Sequence, residues 1–219
     1  MTSILIIIFA AILLFGLFYF ENKENRKGIL PTKTALSSLF LLVALLQPHP
    51  IIKYYHFILL GLIFCLMGDV LLALPQRKMF LFGLISFLLG HVFYILSFFY
   101  VARISQWAWM GSIIVIVISA WVYLWLKPHL GKMKIPVLLY VIVITIMVSG
   151  ACSILGEPSL ALSGRIMVFA GALSFYFSDI FVARDRFLKK EILNRLIGLP
   201  MYYTGQFLLA FSVGILWTL

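Results

Sequence analysis

Long apolar runs, each close to twenty residues and almost free of charge, alternate along this chain with short stretches where Lys, Arg, Glu and Pro collect. An α-helix rising 1.5 Å per residue needs ~20 apolar residues to cross a bilayer core, and the runs match that length rather than the shorter period of strands. They predict eight membrane-spanning helices, at about residues 2–20, 33–47, 53–73, 79–100, 107–126, 135–154, 162–183 and 196–218. The second is the shortest. The first run has no basic residue ahead of it and no small-residue cleavage site behind it, so it reads as a retained span rather than a secretory signal. The fold class expected is therefore all-α: a polytopic bundle of about eight transmembrane helices, with residues 1–219 forming one transmembrane helical domain.

Composition agrees, with 64% apolar and 11% charged residues, against roughly 45–50% and about 25% in soluble domains. Cys65 and Cys152 fall inside spans and read as packed thiols, with no disulfide or metal framework. The net charge of +10 would suit nucleic acid, but its distribution points elsewhere. With loops placed alternately on two sides, Lys23, Arg26, Lys27, Lys33, Arg77, Lys78, Lys127, Lys132, Lys134, Arg184, Arg186, Lys189, Lys190 and Arg195 share one face, and Lys53, Arg103 and Arg165 the other. That bias is the positive-inside signature, which predicts both termini on the non-cytoplasmic side and no nucleic-acid partner. Anionic lipid binding is compatible with the same loops.

Five of the seven acidic residues lie in or beside loops; Asp69 and Asp179 remain inside spans. An aspartate at a helix centre costs ~2.5–3.5 kcal/mol on insertion scales, which marks a candidate functional site. One such residue near a helix end is explained by reaching the interface. Two at matching positions are harder to explain that way, since each stands about four residues, or ~6 Å, before the same end of its span. Each also follows a glycine by eight residues, Gly61 and Gly171, and with Cys65 and Ala172 these predict small-residue stripes that bring the two carboxyls face to face. The shared spacing suggests a duplicated four-helix unit without establishing one.

Other polar groups join them. His91 stands ~18 Å inside the fourth span, with Tyr94 on the same face; the last span opens with Tyr202, Tyr203 and Gln206; Lys33 stands at the mouth of the second. Taken singly, a buried histidine is an interhelical hydrogen-bond partner, interfacial tyrosines are belt residues and the lysine is an anchor. Taken together they predict one pocket toward the cytoplasmic leaflet. A zinc site is unsupported, because no second histidine lies a helical turn from His91. No nucleophile elbow, phosphate loop or nucleotide fingerprint is present, so no cofactor is expected.

The segments GDVLL (68–72), FGLISFLLGHVFY (82–94), GALSFYFSDIFVARDRF (171–187) and YYTGQ (202–206) resemble, in order and spacing, the signatures of the YhhN-like family of integral membrane proteins, the lysoplasmalogenases. The resemblance covers essentially the whole chain. It departs at PTKT, where the family's lysine-proline pair is only half kept by Lys33. It implies hydrolysis of the vinyl ether of a lysophospholipid, to a fatty aldehyde and glycerophosphoethanolamine or glycerophosphocholine. Such hydrolysis needs a proton donor and a negative neighbour for the cation that follows, the demand that glycosidases meet with two carboxyl groups.

Asp69 and Asp179 are therefore expected to be catalytic, in roles the sequence does not divide between them. Lys33, His91, Tyr94, Tyr202, Tyr203 and Gln206 are expected to bind substrate or position water. Phe87 and Tyr94 are expected to line the chain channel, and Arg77, Lys78, Arg184 and Arg186 to meet phosphate. The partners expected are a lysophospholipid and membrane lipids, with no obligate protein; in a bacterium the location is the inner membrane. The rival from another class is a proton-coupled transporter or lipid carrier using the same two aspartates, and a third is a structural membrane protein, which leaves both aspartates unexplained.

Overall fold

A computed structural model describes residues 2–104 and 106–217, without the side chains of Thr2, Arg77 and Trp107. Among the described residues it is all-helical: α1 (Thr2–Asn22), α2 (Arg26–Leu46), α3 (Ile52–Ala73), α4 (Arg77–Val101), α5 (Gln106–Leu126), α6 (Lys134–Leu155), α7 (Leu162–Phe187) and α8 (Ile192–Ile215). Two 3-10 turns, Lys127–His129 and Gly131–Met133, join α5 to α6. All eight helices are long and apolar enough to cross a membrane. Those at the rim turn apolar side chains outward, as lipid-facing surfaces must: Ile4, Leu5 and Phe15 on α1, and Trp109, Ile113 and Trp121 on α5, are exposed.

The largest departure from the predicted spans is at α2, which starts at Arg26 instead of 33. Pro31 sits inside the helix, where its ring removes one backbone donor in the second turn. The turn before α2 is tight: Glu24 adopts φ of 49° and the Asn25 amide donates to Phe20 O at 2.9 Å. Gly28 then lets the ring of Phe20 lie where a side chain would stand. This places Lys33 about two turns inside the helix, not at its mouth.

The two small-residue stripes exist but serve other neighbours than predicted. α3 packs on α4: a methyl at Gly61 would overlap the ring of Tyr94, and Cys65 Sγ lies against Gly90. α7 packs on α8, where a Cβ at Gly205 would come within 2.8 Å of Gly171 O. Each stripe thus binds an aspartate-bearing helix to its successor. α2, packed on α3 and α8, and α6, packed on α4 and α7, join these two pairs. Tyr54, Phe40, Tyr94, Phe98 and Phe175 fill the core between them.

At one end of the bundle, charged side chains tie the terminus of α1 to α7 and α8. Arg195 Nη1 meets Glu21 Oε2 at 2.7 Å and its Nη2 meets Asp185 Oδ2 at 3.5 Å. Arg184 reaches Glu191 at 2.7 Å and Asn194 at 2.6 Å, and Lys190 pairs with Glu24 at 2.5 Å. The loop charges read as a topological bias are therefore also a clasp around that end.

Candidate active site

Asp69 follows Gly68, where the ring of Phe87 occupies the space of a side chain, and its carboxylate is almost fully enclosed. Lys33 Nζ lies 3.1 Å from Oδ1. Ser37 Oγ and Tyr202 OH each donate to Oδ2 at 2.6 Å. Lys33 and Ser37 are four apart on α2, one above the other on one face, so three helices converge on one carboxylate. A cation and two hydroxyl donors on two oxygens is the environment of an ionised acceptor. Tyr203 stands one step back, its OH 3.4 Å from Ser37 Oγ.

Asp179 is differently placed. It accepts one hydrogen bond, from Tyr140 OH to Oδ2 at 2.7 Å, and no described cation pairs with it. Among the described residues no hydrogen bond joins the two aspartates, so the predicted face-to-face contact is replaced by two separate partner sets.

Both carboxyls nevertheless open onto one cavity of about 650 Å³. Its mouth is the clasped end of the bundle, with Glu21, Arg26, Arg186 and Lys190 on its rim. Below the rim the wall is mixed: Lys33, Asp69 and Tyr202 on one side, Tyr140 and Asp179 on another, with Leu84, Val122, Val137 and Val141 between them. Among the described residues its lining stops short of the opposite end of the bundle. On α2, α3 and α8 its deepest residues are Lys33, Asp69 and Tyr202, and on α6 and α7 it reaches only about one turn farther, to Ile144 and Tyr176. Hydroxyls close that end, with Tyr176 OH 2.9 Å from Ser119 Oγ and Ser119 2.7 Å from Thr145 Oγ1.

Of the predicted site residues, Lys33, Asp69, Asp179 and Tyr202 line the cavity and His91, Tyr94, Tyr203 and Gln206 do not. His91 lies behind the wall, its ring edge-on to Tyr140 at 5.3 Å and to Phe175 at 4.5 Å. Its Nδ1–H donates to Phe87 O at 2.7 Å, the tautomer following because a carbonyl only accepts. Tyr94 OH donates to Gln206 Oε1 at 2.7 Å and lies 3.8 Å from Cys65 Sγ. Phe87 lines the cavity. Of the four residues expected to meet phosphate, Arg186 lines it, Arg184 is held by Glu191 and Asn194, Lys78 is not among the lining residues, and the Arg77 side chain lies outside the described residues.

Sequence reasoning missed Ser37 and Tyr140, the hydroxyl partners of the two carboxyls. Ser37 carried a weak signal, one turn after Lys33. Tyr140 carried none beyond a phenol inside an apolar run, since its partner lies 39 residues away on another helix.

Eight membrane-length helices around an amphiphilic cavity, with unlike carboxyls on its wall, define a polytopic membrane protein with an internal polar site. The YhhN family model matches residues 29–213, and the chain belongs to that family. A Mycobacterium bovis protein named lysoplasmalogenase is 32% identical over 170 residues, covering 75% of this chain and 61% of the relative. A Mycobacterium tuberculosis protein of the same name gives the same figures. A Bos taurus lysoplasmalogenase is 28% identical over 159 residues, 71% of this chain and 64% of the relative. The chain thus spans about three fifths of the length of the curated relatives it matches. No solved structure matches it.

Proposed function

We propose that this chain is an intramembrane hydrolase that cleaves the vinyl ether of a lysoplasmalogen, or a related lyso-ether lipid, to a fatty aldehyde and glycerophosphoethanolamine or glycerophosphocholine. The names of its relatives support the reaction. The observation that carries the mechanism is the asymmetry between two carboxyls on one cavity wall: Asp69 against a cation and two hydroxyls, Asp179 against a single phenol.

In this reading Asp179 is the acid. It delivers a proton to the alkene carbon remote from oxygen, and the electron pair of the double bond forms the new C–H bond, leaving an oxocarbenium ion. Asp69, kept as a carboxylate by Lys33, faces that cation and takes a proton from the water that adds to it. A carboxylate so well solvated by Lys33, Ser37 and Tyr202 is a weak base, which is sufficient because water attacks an oxocarbenium ion readily. The hemiacetal then collapses: its hydroxyl proton returns to Asp179, Asp69 protonates the departing glycerol oxygen, and both carboxyls regain their starting forms. General acid catalysis of this kind contributes ~10²–10⁴-fold.

The remaining residues act through these two. Lys33, Ser37 and Tyr202 hold Asp69, Tyr140 aims Asp179, and His91 supports Tyr140 from behind. The apolar wall formed by Leu84, Val122 and Val141 accepts the start of the chain. The bias of basic residues toward the cavity mouth supports an active site opening to the cytoplasmic leaflet.

The test uses purified protein in detergent with a 1-alkenyl lysophospholipid and no added metal or nucleotide. Aldehyde should appear, and in D₂O it should carry one deuterium on the carbon beside the carbonyl. Lipid that crosses sealed vesicles chemically unchanged, with no aldehyde formed, would favour the carrier reading instead.

A further inference from the structure

The cavity wall carries five basic side chains: Arg26, Lys33, Arg186, Lys190 and Arg195. Three are committed, Lys33 to Asp69, Lys190 to Glu24, and Arg195 to Glu21 and Asp185. Arg26 and Arg186 enter no ion pair among the described residues. Glu24 is near enough to feel the charge of Arg26 but is already held by Lys190. The rim therefore presents two guanidinium groups that no described carboxylate pairs with directly.

Arg186 is also held in place. Its guanidinium lies over the ring of Phe80, 4.3 Å from the centroid, and Phe80 packs edge-on against Phe187 at 5.7 Å. Stacking occupies the flat face of a guanidinium and leaves its N–H edge free, the edge that binds an oxyanion through two parallel hydrogen bonds.

The register of both arginines fits a particular ligand. Arg186 is seven residues from Asp179 on α7, and Arg26 is seven residues from Lys33, the partner of Asp69, on α2. Seven residues are two turns, so each arginine stands on nearly the same helix face as its counterpart, ~10 Å nearer the mouth. In a lyso-ether phospholipid, the extended path from the alkene carbon that receives the proton, through the glycerol, to phosphorus is about 9 Å at ordinary bond lengths. The two spans agree.

Resting on the hydrolase reading above, we propose that Arg26 and Arg186 form a phosphate clamp two helical turns above the carboxyls. The clamp fixes the distance from phosphodiester to vinyl ether and makes the site selective for lyso-ether lipids that carry a phosphate over phosphate-free alkenylglycerols. The ligand chemistry is a glycerol phosphodiester, not free phosphate.

Kinetics and binding test this together. For the wild type, kcat/KM on a 1-alkenyl-glycerophosphocholine should exceed that on the matching 1-alkenylglycerol. In Arg26→Gln/Arg186→Gln that preference should fall about tenfold or more, chiefly through KM, as expected for the loss of charge-assisted hydrogen bonds. Arg186→Lys, which keeps charge but loses the fork, should recover part of it, and Lys132→Gln, a charge removed away from the cavity, should leave the preference alone. An equal loss on both substrates, or none, would overturn the clamp.

Glycerophosphocholine should also raise the unfolding temperature of the wild type and not that of the double variant, at concentrations where inorganic phosphate does neither. Equal protection by inorganic phosphate would make the site a free-anion site and overturn the lipid assignment. This binding arm needs no turnover: stabilisation without aldehyde release would keep the clamp and remove the hydrolase, whereas hydrolysis without phosphate preference would do the reverse.

Discussion

Replacing Lys33 by Met removes the one cation that meets Asp69 while keeping the stem of the side chain. The Asp69 side chain is 1% exposed and that of Lys33 11%, so neither charge is well solvated and the pair cannot be treated as a surface ion pair. Breaking such a pair from one side costs about 3–5 kcal/mol, because the remaining charge stays enclosed. Ser37 and Tyr202 still donate to Oδ2, which places the expected loss near the lower end, ~3 kcal/mol. Removing Ser37 instead leaves the cation and one donor in place, and interhelical hydrogen bonds in membranes average ~0.6 kcal/mol, so Ser37→Ala should cost ~1 kcal/mol or less.

The double variant Lys33→Met/Asp69→Asn removes both charges and should regain a large part of the loss, giving a coupling of ~1–3 kcal/mol in a double-mutant cycle. Graded unfolding in mixed detergent, followed by circular dichroism, measures all four proteins. An unfolding midpoint for Lys33→Met equal to the wild type, or strict additivity in the cycle, would refute the claim that α2 and α3 are joined by a desolvated ion pair.

Other outcomes follow from individual contacts. Tyr140→Phe deletes the single donor to Asp179 and should lower kcat about tenfold, the equivalent of ~1.4 kcal/mol, with KM little changed in steady-state aldehyde assays. Tyr203→Phe should do far less, since that hydroxyl meets Ser37 at 3.4 Å and no carboxyl. Gly61→Leu forces a side chain into the ring of Tyr94 and should lower stability by ~1–3 kcal/mol in the same unfolding assay, whereas substitution at Gly131, where a Cβ meets nothing but φ is +51°, should cost only the backbone strain of ~1 kcal/mol.

The eight spans were legible because crossing a bilayer fixes helix length and polarity almost residue by residue. Asp69 and Asp179 were legible for the converse reason, as carboxyls in segments that otherwise exclude charge. What the sequence did not carry was who faces whom. The glycine stripes at Gly61 and Gly171 announced close packing but not its partner, and each turned out to face the next helix in the chain. Hence the two carboxyls meet a common cavity rather than each other. Lys33 looked like an anchor because it stood at the mouth of the predicted second span, and only the earlier start of α2 shows it deep enough to reach Asp69. Tyr94 OH donates to Gln206 Oε1 behind the wall, while Gln206 Nε2 is buried with no partner among the described residues.

In the proposed mechanism two carboxyls, delivered by separate helix pairs to one cavity, divide acid and base roles on a vinyl ether. The most direct measurement is single-turnover aldehyde release by purified Asp69→Asn and Asp179→Asn beside the wild type, each shown folded by its circular dichroism. Both variants should lose at least ~10²-fold in rate while still binding the lysolipid. Turnover near the wild-type rate in either variant would contradict it.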